Sequence, residues 1–388
     1  MPTSRTLRFV LASAAAFCVS VTARADTAPD VSPICSTVFK RTTDDVLLGR
    51  GAFCQQSEPI EYAITDETNA EVGRVEIDAY AYSDNRLNRL EWPLRFRFRT
   101  RLVSGSGDGL QVKPIVECGD DCTVAPNAGV PLIIGGLSNE VAIVVTPNMN
   151  GEKQRNIRSY VGYKVSKTGD SFEDGQSVAS FYGKAYVPEI RCDIGLAKAN
   201  TRGCVYLSAP AIMRSVKTNN PEVDESALHI RDAQAAGMPG KFISRGDGTI
   251  LPDSAAVPLT RLRDKTERNN NRKTSKNQCV VQYGEVTGQC TFTGDPDDEP
   301  SDCDCDEYPF AASGQGAFNR QFGRDFSVRR IDRTDNRSSG GKLGCFLTSQ
   351  RVLDGERFFV DVEPGTDDQS VQDDCEEAVA DGGMAENR

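Results

Sequence analysis

From Val72 to Ile190 the chain alternates short apolar and β-branched runs with clusters of Gly, Asn and Asp. The runs are VGRVEIDAYAY (72–82), LEWPLRFRFRTRLV (90–103), LQVKPIVEC (110–118), VPLIIGG (130–136), EVAIVVTPN (140–148), IRSYVGYKVS (157–166) and SVASFYGKAYVPEI (177–190). Side chains alternate across a strand, so seven ribbons divided by turn residues predict an antiparallel β-sandwich. The alternation is sharpest where Leu94, Phe96, Phe98 and Leu102 take one face and Arg95, Arg97, Arg99 and Arg101 the other. A solvated sheet face is the expected reading of that arginine row, ahead of a strip that tracks phosphates.

Past residue 215 the pattern changes. PEVDESALHIRDAQAAGMPG predicts a helix with Asp224 as N-cap, Ala227, Ile230 and Ala233 turned inward, and a stop at Gly237 and Pro239. RLRDKTERNNNRKTSKNQC follows, polar and without a long apolar stripe. Then come a predicted strand FSVRRI, a helix through SSGGKLGCFLTSQ and a closing strand ERFFVDVE. The tail is rich in Asp, Glu and Gly and is expected to be mobile apart from Cys375.

The N-terminus reads as an export signal, with Arg5 and Arg8 ahead of FVLASAAAFCVSV and the small-x-small pattern Ala23-Arg24-Ala25. That apolar run is shorter than the roughly 20 residues a membrane span needs. A soluble chain, secreted or periplasmic, is expected. The length left after cleavage exceeds the usual single core and predicts two domains. The expected organisation is 1–25 signal peptide, 26–205 β-rich domain, 222–363 second domain and 364–388 acidic tail.

Cysteine usage agrees with export. Losing Cys18 with the signal leaves twelve, an even number that predicts about six disulfides in an oxidising compartment. The economical pairing closes local loops: Cys35 with Cys54, Cys118 with Cys122, Cys192 with Cys204 and Cys279 with Cys290. CGDDC at 118–122 has no second cysteine pair or histidine nearby to complete a tetrahedral zinc site.

Without the signal's three arginines the chain carries 42 basic and 56 acidic residues, a net charge of −14. Simple electrostatic capture of nucleic acid is disfavoured for such a surface. The charge is uneven, however. Residues 257–284 hold seven Lys or Arg against two acids, whereas residues 285–307 hold nine acids and no base.

Candidate chemistry sits in CDCDEYPFAASGQG (303–316), where Asp306 and Glu307 stand just ahead of a small apolar run. Carboxylates are costly to bury and repel each other, so such a pair implies a nearby cation or a task for one of them. In an extended segment the two point to opposite faces and cannot serve one site together. One of the pair is therefore expected to work, and its neighbour to orient or to pair with a base from 261–273.

HIRDAQAAGMPG at His229, NRK at 271–273, CDEYPFA at 305–311, DNRSSGG at 335–341 and RVLDGERFFV at 351–360 occur in one order. Together they resemble the secreted deoxyribonucleases of the NucA/NucB type over about residues 222–363. The resemblance implies a smaller ββα-metal-like nuclease domain, which follows the β-sandwich read from the strand pattern, outside the match, to make an α+β chain. It also implies a divalent cation, Mg2+ or Mn2+, with DNA as partner. Asp306 matches the expected general base, Asn336 the cation ligand at the helix start, and Arg337 a brace for the phosphate or leaving oxygen. Gln315 stands where the family usually has glutamate, next to Gly316, and keeps an oxygen donor near the cation without the charge. His229 is expected to pack or hydrogen-bond on its helix.

The leading expectation is an exported, metal-dependent endonuclease that cuts DNA with little sequence preference. Gln315 and the negative charge keep open an alternative, an exported binding or surface protein with an inactive nuclease-like domain. The acidic run GDPDDEPSDCDCD lacks calcium-loop spacing and is expected to be a solvated insertion.

Overall fold

Leu94, Phe96 and Phe98 are buried as the alternation requires, because the strand Trp92–Gly105 lies inside a seven-stranded antiparallel sheet. A computed structural model describes Cys35 and residues 42–172, 187–246, 249–285, 289–290, 301–319 and 325–364. The chain is mixed α/β, and the described residues hold many antiparallel strands and three α-helices. The signal segment, the tail, most of the acidic insertion and most of the 177–190 run lie outside the described residues.

In the large sheet, Glu71–Asp84 and Trp92–Gly105 form the central hairpin, joined by Val141–Pro147 on one side and Ala52–Gln56 and Ile60–Thr65 on the other. A three-stranded sheet centred on Leu110–Glu117 adds to the same core, where Phe98 meets Tyr163 edge to face with centroids 5.3 Å apart. Leu102, expected on the buried face, is 47% exposed; it lies at the end of the hairpin remote from its turn, where the pairing shifts register between Arg74 and Val75. The arginine row is a neutralised sheet face. Arg101 pairs with Glu76 and Asp78, and Arg95 with Glu140 at 3.4 Å.

Three expected disulfides are present, Cys35–Cys54, Cys118–Cys122 and Cys192–Cys204. The fourth expectation is corrected: Cys279 bonds Cys305. The cause is a helix that the polar segment conceals. It forms α2 (Lys265–Tyr283), and its buried stripe is Asn271, Ser275 and Cys279, spaced four apart, which brings Cys279 onto the strand Ser301–Tyr308. The crosslink closes 26 residues, worth about 3–4 kcal/mol by loop entropy. Asp264 starts α2 by accepting the Glu267 amide at 2.8 Å, and glycine in the left-handed region (Gly284, φ +80°) ends it.

A second apolar core gathers α1 (Asp224–Ala235), α3 (Arg333–Ser349) and a sheet in which Arg357–Val360 lies between Ala211–Met213 and Leu259–Thr260. Ala227, Ile230 and Ala233 are buried there as predicted. The N-cap expectation fails by one residue: Val223 is the cap without a side-chain bond, and Asp224 is the first helical residue, facing Asp335 of α3.

A buried ionic cluster joins the two cores. Arg191 and Asp193, on the strand Ile190–Ile194, meet Arg351 and Glu356, which follow α3. Arg191 also donates to the Arg351 carbonyl at 2.6 Å, and Arg50 lies 3.5 Å from Glu356. Burial, then the neighbouring Arg191 charge, pulls Arg50 down to about 10. Burial pushes Glu356 up, but Arg191, the Leu353 amide and Arg50 outweigh it and hold the carboxyl below its ordinary value. Arg351 occupies the left-handed region just past α3 (φ +48°), where an L-residue costs roughly 1–2 kcal/mol. Its guanidinium offsets that cost by bonding both carboxylate oxygens of Asp193 and the Asp193 carbonyl.

Removing one member strands a buried charge. Arg351→Ala and Asp193→Ala are each expected to lose about 3–5 kcal/mol of unfolding free energy in urea titrations, with the double variant scarcely worse than either.

Candidate active site

The site grows from a hairpin. Ser301–Tyr308 pairs antiparallel with Ser327–Asp332, with Asp306 opposite Arg329 and Tyr308 opposite Ser327. α3 begins at the next residue, and Asp332 caps it by accepting the Thr334 and Asp335 amides. α1 and α3 contact each other as well as this hairpin, and α2 is tied to it at Cys305.

Asp306 and Glu307 do point apart. Asp306 is 8% exposed, and its Oδ2 lies 2.8 Å from Nδ1 of His229 on α1. The imidazole is fully buried, with Nε2 2.9 Å from Ser327 Oγ. When Nδ1–H donates to the carboxylate, Nε2 accepts from the serine, so both ring nitrogens are satisfied. Oδ1 of Asp306 takes no hydrogen bond among the described residues. The expectation for His229 as a hydrogen-bonding helix residue holds, but its partner, 77 positions away, is the candidate base itself.

Glu307 turns toward α2. Its Oε2 is 3.5 Å from Ser275 Oγ, and the Ala311 amide donates to it. Burial, then the adjacent Asp306 charge, pushes this carboxyl up to about 7, against Ala311, Arg272 and Ser275. A direct base partner from 261–273 was expected; Arg272 acts on Glu307 through its field, while Ser275 and Ala311 make the contacts.

The loop after Tyr308 is fastened on two sides. Gln315 Oε1 accepts from the Thr260 amide at 2.9 Å and lies 3.3 Å from its hydroxyl, so both lone pairs are engaged. Asn271 of α2 donates to the Ala311 carbonyl at 3.0 Å and accepts the Phe318 amide at 2.8 Å. A Cβ at position 316 would come within 2.4 Å of Asn271 Nδ2, which is why glycine follows Gln315.

Asn336 lies in the first turn of α3, half-buried, and its carboxamide has no hydrogen-bond partner among the described residues. Arg337 is exposed, with Nε 3.7 Å from Asp304 Oδ2. Asp304 and Asp306 share a face of their strand, so the start of α3 lies along the side that carries Asp306. Asp335, beside Asn336, accepts the Glu225 amide at 3.1 Å and is raised to about 7, first by burial and further by Asp224 and Glu225. Among the described residues no three His, Cys, Asp or Glu side chains cluster so as to hold a metal ion. Asn336 offers a neutral carboxamide oxygen at the start of α3, whereas the Gln315 oxygen is engaged by Thr260.

A carboxylate steadied at one oxygen and open at the other, with arginine nearby, is an arrangement suited to activating water against an anionic ester. Residues 254–361 match the family Deoxyribonuclease NucA/NucB. The match spans α2, the hairpin, α3 and the closing strand, and indicates a deoxyribonuclease domain with DNA as its substrate. α1 and His229 precede it. No curated protein and no solved structure matches the chain. Among the described residues no helix is long and apolar enough to cross a membrane.

Sequence patterns understated α2 and the His229 contact. The signal for α2 was the Asp264-x-x-Glu267 start with Asn271, Ser275 and Cys279 at four-residue spacing. No local signal pairs His229 with Asp306.

Glu307 also sets a pH dependence. A carboxyl whose folded pKa of about 7 lies above its ordinary 4.5 binds its proton more tightly when folded. It therefore removes stability as pH rises from about 4.5 to 7. Glu307→Gln is expected to raise the melting temperature at pH 8 and leave it nearly unchanged at pH 4, read by thermal denaturation.

Proposed function

We propose that this chain is an exported, metal-dependent endonuclease that hydrolyses DNA phosphodiester bonds with little sequence specificity. Its operating compartment is secreted or periplasmic. The observation that carries the proposal is Asp306, which lies inside the matched segment and is held by His229 at Oδ2 while Oδ1 takes no hydrogen bond among the described residues. On this reading the β-rich residues 26–205 form a sandwich, residues 222–363 form a ββα-metal-type nuclease domain, and the tail is a separate acidic segment.

Asp306 takes the proton of the attacking water through Oδ1. His229 positions that carboxylate and does not itself meet water, since it is fully buried with both nitrogens engaged. Asn336 would hold Mg2+ or Mn2+ through its carboxamide oxygen, leaving most of the coordination to water and phosphate; the ion would stabilise charge developing on the phosphate. Arg337, exposed on the same helix turn, braces the phosphate or the leaving oxygen. Glu307 orients the strand from the α2 side. Gln315 anchors the loop, a task an amide oxygen performs as a carboxylate would, so loss of the usual glutamate leaves that anchor intact.

The test is nicking of plasmid DNA by purified protein with Mg2+ or Mn2+, then with a chelator. Asp306→Asn is expected to lose cleavage about 100-fold or more at every metal concentration. Asn336→Ala should lose activity that excess Mn2+ partly restores, and His229→Ala should lower kcat with KM for DNA little changed. A folded Asp306→Asn protein that cuts at the wild-type rate would contradict the proposal and favour a binding protein with an inactive nuclease-like domain.

A further inference from the structure

Despite the acidic total, one face of α2 carries guanidinium groups, those of Arg268 and Arg272, that form no ion pair with a carboxylate among the described residues. Arg272 reaches only Asn269, at 3.4 Å, and the Nε of Arg268 is buried without a partner. Burial, then the charges of Arg272 and Arg263, lowers the Arg268 pKa, so the three cations sit close enough to repel one another. The nearby acid Glu267 is 3.4 Å from the Asn319 amide nitrogen. Lys273 and Lys276 extend the positive side of the helix in exposed positions. Such crowding costs free energy in the isolated protein and is relieved by a polyanion.

An exposed aromatic residue is tied to the same helix. Phe318 is 52% exposed, and its backbone amide is fixed by Asn271, which lies on α2 between Arg268 and Arg272. The same helix reaches the catalytic strand one turn on, where Ser275 meets Glu307. Arg268 and Arg272 are one helical turn apart, about 6 Å along the axis. Cations spaced along a helix to which an exposed aromatic residue is fastened match the way proteins hold unpaired nucleic-acid strands: charge on the phosphates and a flat surface for a base.

We propose that α2 is a track for a single DNA strand running away from the active site, with phosphates on Arg268 and Arg272 and an unpaired base stacked on Phe318. The inference rests on the nuclease reading for the strand's destination, but strand binding can be measured without hydrolysis. The track makes local melting of the duplex part of substrate engagement.

The experiment uses the full chain carrying Asp306→Asn, without divalent metal, titrated against a fluorescein-labelled single-stranded 12-mer and its duplex by anisotropy at several salt concentrations. Arg268→Ala/Arg272→Ala is expected to weaken single-strand binding and to reduce the salt slope by about 1.4, roughly 0.7 per phosphate contact. Arg268→Lys/Arg272→Lys should keep most of that slope. Phe318→Ala should weaken single-strand binding about 5-fold or more and leave duplex binding unchanged, and Phe318→Tyr should retain affinity. Wild-type affinity and slope in both alanine variants, or equal loss on single strand and duplex in Phe318→Ala, would overturn the track. Plasmid cleavage by the unmodified chain, run in parallel, separates the two claims. Cleavage with track-independent binding rejects only the track, and track-dependent binding without cleavage rejects only the hydrolytic reading.

Discussion

The hydrogen bond between His229 and Asp306 is the contact on which the site depends. It spans 77 positions and ties α1 to the hairpin of Ser301–Tyr308 and Ser327–Asp332. A carboxylate in this setting, 8% exposed, would be costly without a partner, and the buried imidazole supplies one at Oδ2. Ser327, on the opposing strand, holds the far side of the ring. Helix, strand and strand are thus locked by one side chain, the chain's single histidine.

The second constraint is the buried cluster of Arg50, Arg191, Asp193, Arg351 and Glu356. It makes the β-rich part a support for the segment that follows α3. Arg261 adds to the same junction by donating to the carbonyls of Leu347 and Val352 from one nitrogen and to Ala197 at 3.3 Å from another. The segment 205–221, which joins the two cores, is largely buried or half-buried and supplies the strand Ala211–Met213 to the second sheet, so it is packed into the fold. Substitutions in the β-rich part that touch Asp193 or Arg191 therefore act on the frame that holds α3 and, through it, Asn336.

Local pattern made much of this legible. The two-residue period at 94–98 gave a buried strand face, and the spacing of Ala227, Ile230 and Ala233 gave the buried stripe of α1. Five short motifs pointed to the family now matched at 254–361. What stayed hidden depended on polar groups whose partners are distant. α2 buries Asn271, Ser275 and Cys279, which carry no hydrophobic signal, and its disulfide partner proved to be Cys305 instead of the nearer Cys290. Gln315 read as a possible cation donor because sequence shows its oxygen but not the Thr260 amide that occupies it. Asp224 read as a helix cap because the cap position is defined by backbone angles that the residue type only biases.

The single histidine makes the central claim directly measurable. NMR of the imidazole nitrogens and their attached protons reports on one residue, without overlap. The structure predicts a ring N–H proton protected from solvent exchange, bonded to the Asp306 carboxylate, whose resonance shifts or disappears in Asp306→Asn while the rest of the spectrum stays folded. A ring N–H that exchanges freely with water, with the same imidazole shifts in both proteins, would contradict the contact and with it the assignment of Asp306 as a positioned base.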